Sequence, residues 1–293
     1  MGRASARVDA AMLEARAAVL AKRSIKAVAK QAGIDLLIGC LDLTTLEGRD
    51  TPGHVRALCA RAGAPLPGAP PVAAVCVYPA FAALARRELA GGPVKVAAVA
   101  GAFPSGLSPL ELRLAEIRAA VAAGADEIDV VVDRGALLCG DSARVSAELA
   151  AMRESCGAAL LKVILETGEL GSYQAIRNAC DLALEAGADF IKTSTGKIPA
   201  AATPPVALLM CEAIREHFRR TGRAAGLKLA GGVRTTKAAL GYLAIVKETL
   251  GPGWLHPSRL RLGASALLDD LLMQRDKEAS GAYSGSVYVA TIS

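Results

Sequence analysis

Residues 123–129 read AGADEID and residues 186–192 read AGADFIK, so one seven-residue pattern occurs twice. In each copy a glycine, Gly124 or Gly187, stands where a helix C-terminus favours a left-handed residue, and a short apolar run follows at once. Similar runs recur on both sides: 34–41 (IDLLIGCL), 72–78 (VAAVCVY), 95–100 (KVAAVA), 127–132 (EIDVVV), 160–165 (LLKVIL), 190–195 (FIKTST), 226–230 (GLKLA) and 260–264 (LRLGA). Helical segments separate them, and several open on start signals: Thr51 then Pro52, Ser108 then Pro109, Ser172, Thr203 then Pro204, and Thr235. Strands apolar on both faces that alternate with helices imply a parallel sheet covered all round, and eight of them favour closure into an α/β fold of the (β/α)8 TIM barrel type. A doubly wound open sheet is the alternative, weakened by the lack of any GxGxxG after the first run. With a shared register, Asp129 and Lys192 occupy equivalent places in two even-numbered strands, which contribute to one interior layer.

Length and composition fit one large core: the chain has 293 residues, 53% of them hydrophobic. The formal charge of +6 lies mostly in residues 1–30, where seven Lys or Arg face two acids, so the body is nearly neutral. With aromatics at 3%, stacking platforms for bases are scarce, and nucleic-acid binding is not expected. No apolar run reaches membrane-spanning length. Residues 9–30 resemble an Arg-rich transit segment, but Asp9, Glu14 and a helical pattern favour a packed surface helix. Seven scattered cysteines (40, 59, 76, 139, 156, 180, 211), with no CxxC pair, fit reduced thiols in a cytoplasmic protein. His54, His217 and His256 have no metal-binding spacing, so no metal is expected. The expected organisation is a basic helical extension (1–33), a barrel (34–275) and a flexible tail (276–293).

Three lysines interrupt apolar strands: Lys162 in LLKVIL, Lys192 in DFIKTS and Lys228 in GLKLA. Each could snorkel or pair with an acid such as Asp129 or Glu166. Three together suggest chemistry, because burial and neighbouring like charges both lower a lysine pKa. A free lysine near 10.4 must fall by roughly 3 units, on the order of 4 kcal/mol, to be a neutral nucleophile at pH 7. Such an amine attacks carbonyls to form a Schiff base, and Asp129 is the nearest candidate to move the protons. A phosphate site is expected beside it. The strand ends Thr195-Gly196-Lys197, Ala230-Gly231-Gly232 and Gly263-Ala264-Ser265 allow close backbone approach where barrels often bind that anion.

The stretches LDLTTL (41–46), AAVCVYP (73–79), GADEIDVVV (124–132), LLKVILETGEL (160–170), ADFIKTSTGK (188–197), AGGVRT (230–235) and GAS (263–265) resemble the deoxyribose-phosphate aldolases. They run in family order, and the basic extension and KETLGPGWL resemble the longer eukaryotic-type members. The resemblance implies reversible cleavage of 2-deoxy-D-ribose 5-phosphate to D-glyceraldehyde 3-phosphate and acetaldehyde, without metal or organic cofactor, in deoxyribonucleoside catabolism. It implies that Lys192 forms the Schiff base, Lys228 perturbs it and Asp129 relays protons. It places Lys162 on the sugar side or beside Asp129, Asp42 and Cys76 in the pocket, and Thr195, Gly196, Lys197, Gly231, Gly232, Gly263 and Ser265 around the substrate and its phosphate. Leu229 departs from the family's usual Pro or Ala, and by alternation should point away from the site. A tail tyrosine of the family corresponds to Tyr283 or Tyr288. A catalytically silent sugar-phosphate sensor and a phosphosugar isomerase are the alternatives, and self-association is left open.

Overall fold

Strands with two apolar faces need cover on both, and the chain provides it by closing the sheet and ringing it with helices. In a computed structural model, which describes residues 5–23, 27–199 and 202–280, eight parallel strands pair in chain order into a closed barrel. They are β1 (Leu41–Thr44), β2 (Ala74–Val77), β3 (Lys95–Ala100), β4 (Glu127–Val131), β5 (Leu160–Ile164), β6 (Phe190–Lys192), β7 (Gly226–Ala230) and β8 (Leu260–Ala264). The helices are α1 (Ala10–Ala21), α2 (Ala27–Gly39), α3 (Pro52–Gly63), α4 (Ala82–Glu88), α5 (Leu110–Ala122), α6 (Arg134–Leu138), α7 (Ser142–Cys156), α8 (Tyr173–Glu185), α9 (Pro204–Thr221), α10 (Thr236–Leu250) and α11 (Leu267–Ser280).

The first strand corrects the reading of 34–41. That run is the end of α2, and β1 begins only at Leu41. Its buried helical residues Ile34, Leu37 and Ile38 fall at the i, i+3, i+4 spacing of a helix face, which a short apolar run disguises as a strand. The boundary drawn after residue 33 therefore falls inside α2. At the other end α11 continues to Ser280, while Tyr283 and Tyr288 lie outside the described residues.

Helix starts follow the local chemistry. Thr51, Ser172, Thr203 and Thr235 each accept a hydrogen bond from the backbone N–H three residues on. Ser108 does not cap α5, whose N-cap is Pro109, without a side-chain bond. The repeated AGAD pattern ends α5 and α8 alike. Gly124 (φ 98°) donates to Val121 and Ala125 donates to Ala120, and Gly187 (φ 93°) and Ala188 repeat both bonds to Leu184 and Ala183. This is a Schellman turn in each case, and it delivers the chain into β4 and β6 in the same manner.

Alternation then divides the side chains. Leu41, Leu43, Val75, Val77, Val96, Ala98, Ile128, Val130, Leu161, Val163, Ile191, Leu227, Leu229, Leu260 and Leu262 join the helices in one continuous core. Leu229 thus faces away from Lys228, as alternation requires. The opposite faces fill the barrel. On the β2–β3 side the filling is small and apolar, with Ala74, Cys76, Ala97 and Val99 packed against Leu46. On the remaining strands it is mostly charged, with Phe190 of β6 against Arg261. The N-terminal helix is part of this body: Leu13, Ala17 and Leu20 of α1 are buried in the main core, and α1 lies against α9 and α10. Full burial of a leucine is worth roughly 1.5–3 kcal/mol, so two of them anchor α1 firmly.

Candidate active site

Seven ionisable side chains meet inside the barrel: Asp42 (β1), Glu127 and Asp129 (β4), Lys162 (β5), Lys192 (β6), Lys228 (β7) and Arg261 (β8). All are buried. Register explains the meeting, since Asp129 stands beside Lys162, and Lys192 beside Lys228, which is beside Arg261. Asp129 is the hub. Its Oδ1 accepts from Lys162 Nζ at 2.7 Å, and its Oδ2 accepts from Lys192 Nζ at 2.8 Å and Lys228 Nζ at 2.7 Å.

The lysines differ in what else they reach. Lys162 Nζ also lies 2.7 Å from Glu127 Oε2 and 3.3 Å from Asp42 Oδ2. Lys228 Nζ lies 2.5 Å from Asp42 Oδ2, off the hydrogen-bond direction. Among the described residues Lys192 has the Asp129 carboxylate alone. Below them Arg261 donates through both terminal nitrogens to Glu127 at 3.0 and 2.7 Å, and to Asp42 Oδ1 at 2.6 Å. Its guanidinium carbon sits 5.6 Å from the centre of the Phe190 ring. Gly226 makes room for that ring, because a Cβ there would lie 2.2 Å from a ring carbon.

These surroundings separate the pKa values. Burial drives Lys192 down and Lys228 adds to it, while the attraction of Asp129 does not restore the usual value. Burial also opposes the charge on Lys162 and Lys228, but Asp129 and Asp42, with Glu127 for Lys162, outweigh it and raise both. Of the three lysines, Lys192 alone is shifted downward. Burial would raise Asp129 as well, yet Lys162, Lys192 and Lys228 together hold it well below the ordinary carboxylate range. Cys76 is fully buried beside Ala74 and Ala97, and burial raises its thiol.

A cavity of about 440 Å³ opens over Lys192 at the C-terminal ends of the strands. Of the residues singled out in the sequence, Lys192, Thr195, Gly196, Lys197, Gly231, Gly232, Gly263 and Ser265 line it. Asp42, Cys76, Lys162, Asp129 and Lys228 do not. They are buried beneath it. Lys197 Nζ reaches across the mouth to Glu47 Oε1 at 2.8 Å. Arg234, which the sequence reading passed over, is exposed on the cavity wall and has no ion pair among the described residues. Glu166 does not pair with a lysine. Held at φ 53°, it accepts from the Thr195 N–H at 3.2 Å and the Thr195 hydroxyl at 2.6 Å, and so fixes the loop after β6. Among the described residues no group of three or more His, Cys, Asp or Glu is disposed to hold a metal ion.

A closed (β/α)8 barrel with a cavity at the C-terminal ends of its strands defines the class, a barrel enzyme, and the comparisons identify the family. The chain matches the DeoC/LacD family aldolase over residues 36–251 and belongs to that family. It is similar to the deoxyribose-phosphate aldolase of Mus musculus, 44% identical over 94% of this chain and 90% of that one, and to that of Homo sapiens, 42% identical over 93% and 90%. Among solved structures it resembles a putative deoxyribose-phosphate aldolase from Toxoplasma gondii ME49, with a TM-score of 0.76 at 27% identity, covering 89% of this chain and 99% of that one.

Proposed function

We propose that this protein is a deoxyribose-phosphate aldolase that cleaves 2-deoxy-D-ribose 5-phosphate into D-glyceraldehyde 3-phosphate and acetaldehyde through an imine on Lys192. The observation that carries the mechanism is the contrast among the lysines: the one open to the cavity is the one with a single carboxylate partner and a lowered pKa. Unprotonated, Lys192 attacks C1 of the open-chain sugar, and loss of water gives the imine. The 3-hydroxyl then yields its proton, the C2–C3 bond breaks, and its electron pair enters the iminium to leave an enamine. Protonation at C2 and hydrolysis release acetaldehyde and free the amine. Asp129, 2.8 Å from Lys192, is the group placed to pass these protons between nitrogen and water. Lys162 and Lys228 remain charged and keep the Asp129 carboxylate in place.

For the substrate phosphate we assign the rim formed by Gly196, Lys197, Gly231, Gly232, Arg234 and Ser265, which combines two cations with backbone able to approach closely. Lys197 exchanges Glu47 for the phosphate when substrate binds. The reading includes a cytoplasmic location, supported by seven free cysteines, six of them buried. Among the described residues no helix is long and apolar enough to cross a membrane.

Incubation with acetaldehyde and borohydride is expected to leave a reduced two-carbon adduct on Lys192, with Lys192→Leu devoid of both adduct and turnover. An unmodified Lys192 in folded, wild-type protein overturns the reading.

A further inference from the structure

Four cations and three carboxylates share the barrel interior: Lys162, Lys192, Lys228 and Arg261 against Asp42, Glu127 and Asp129. Were all seven charged, the interior would hold one positive charge too many. Arginine does not release its proton in proteins, so relief of that surplus falls to a lysine. Lys162 reaches three carboxylates and Lys228 two, whereas Lys192 reaches one oxygen that it shares. Lys192 is therefore the lysine that gives up its proton most readily.

The source of the surplus lies on the far side of the network. Arg261 occupies both oxygens of Glu127 and one of Asp42, and makes no contact with the cavity. We propose that Arg261 and Glu127 are a charge-setting pair, positioning residues that act through Asp42, Lys162 and Lys228 to keep the Lys192 amine unprotonated for imine formation. The groups around Lys192 are few. They are Asp42 on β1, Cys76 on β2, Glu127 and Asp129 on β4, Lys162 on β5, Lys228 on β7 and Arg261 on β8, while β3 supplies only Ala97 and Val99 to the interior. The Cys76 thiol is raised by burial and stays neutral, so among the described residues the count is four against three.

The inference rests on the imine chemistry proposed above, and its test is separable from it. In Arg261→Met three lysines face three carboxylates, and Lys192 can keep its proton. In Glu127→Gln four cations face two carboxylates, and Lys192 loses its proton more readily. In the double variant three lysines face two carboxylates, which restores the surplus of one.

The rate of acetaldehyde–borohydride trapping on Lys192, followed against pH, reads the amine directly. We expect the acid limb of Arg261→Met to move up, that of Glu127→Gln to move down, and the double variant to return toward wild type. Each single shift is on the order of one pH unit, the effect of one charge several ångströms away at an effective dielectric constant of about 20. Trapping by Arg261→Met at pH 7 falls about tenfold. Arg261→Lys, which keeps the charge, follows the wild-type profile. If Arg261→Met does not fold, Glu127→Gln and the double variant carry the comparison. Normal adduct formation with limbs that stay in place, or that move the same way in both single variants, overturns the charge-setting role; absence of adduct in wild type instead overturns the imine itself.

Discussion

Replacing Asp129 by Asn changes little in volume and removes the one carboxylate common to all three lysines. In the native barrel its oxygens lie 2.7, 2.8 and 2.7 Å from Lys162, Lys192 and Lys228. Breaking a buried ion pair costs roughly 3–5 kcal/mol when the partner is left charged and alone. Here the partners have recourse: Lys162 keeps Glu127 and Asp42, Lys228 keeps Asp42, and Lys192 can lose its proton. The loss should therefore fall near the lower end, about 3 kcal/mol at pH 7.

The pH dependence has a definite sign. Asp129 has a lower pKa folded than unfolded, so its stabilisation is fully present above the unfolded value of about 3.9 and is lost as pH falls through the folded value. Urea unfolding of both proteins should give a constant difference from about pH 5 to pH 8, narrowing below about pH 4. Without a proton relay, turnover should drop about 10²- to 10⁴-fold. Equal midpoints at pH 7, a gap that widens toward acid, or turnover within about tenfold of wild type would each refute the assignment of Asp129 as the hub.

Gly226→Ala puts a methyl group 2.2 to 2.7 Å from three carbons of the Phe190 ring. The ring is buried in the barrel interior against Arg261, so a loss of about 1–3 kcal/mol in urea is expected, and an unchanged midpoint contradicts the packing described. Arg234→Ala should raise KM for the phosphorylated sugar about tenfold, with little change in kcat and none in KM for unphosphorylated deoxyribose. Lys197→Ala should do the same to a smaller degree, since Lys197 gives up Glu47 to bind phosphate. Equal effects on both sugars would move the phosphate elsewhere.

Much of the barrel could be read from the chain because its strands are short, apolar and separated by capped helices. The seven runs from 72–78 to 260–264 each contain the strand that forms. The run 34–41 misled because periodicity over so few residues does not distinguish a buried strand from the last turns of a buried helix. The AGAD repeat carried more than composition could, since it fixed the register that aims Asp129 and Lys192 inward. The lysines were conspicuous as charges in apolar strands, and Arg261 in LRLGA and Glu127 in EIDVV offered the same signal. What the sequence did not convey was their mutual geometry: Lys162 and Lys228 have carboxylates to spare and Lys192 does not. Glu47, Glu166 and Arg234 lie in loops, where no periodicity announces the direction of a side chain.

The sparse surroundings of Lys192 affect the bond-breaking step as well as the attack. In the proposed mechanism a protonated imine at that nitrogen returns the fourth cation to an interior with three carboxylates. The iminium is thus raised in energy relative to one in solution. Cleavage of C2–C3 discharges it, because the electrons of that bond end on nitrogen and leave a neutral enamine. The barrel thereby favours the step that consumes the cation.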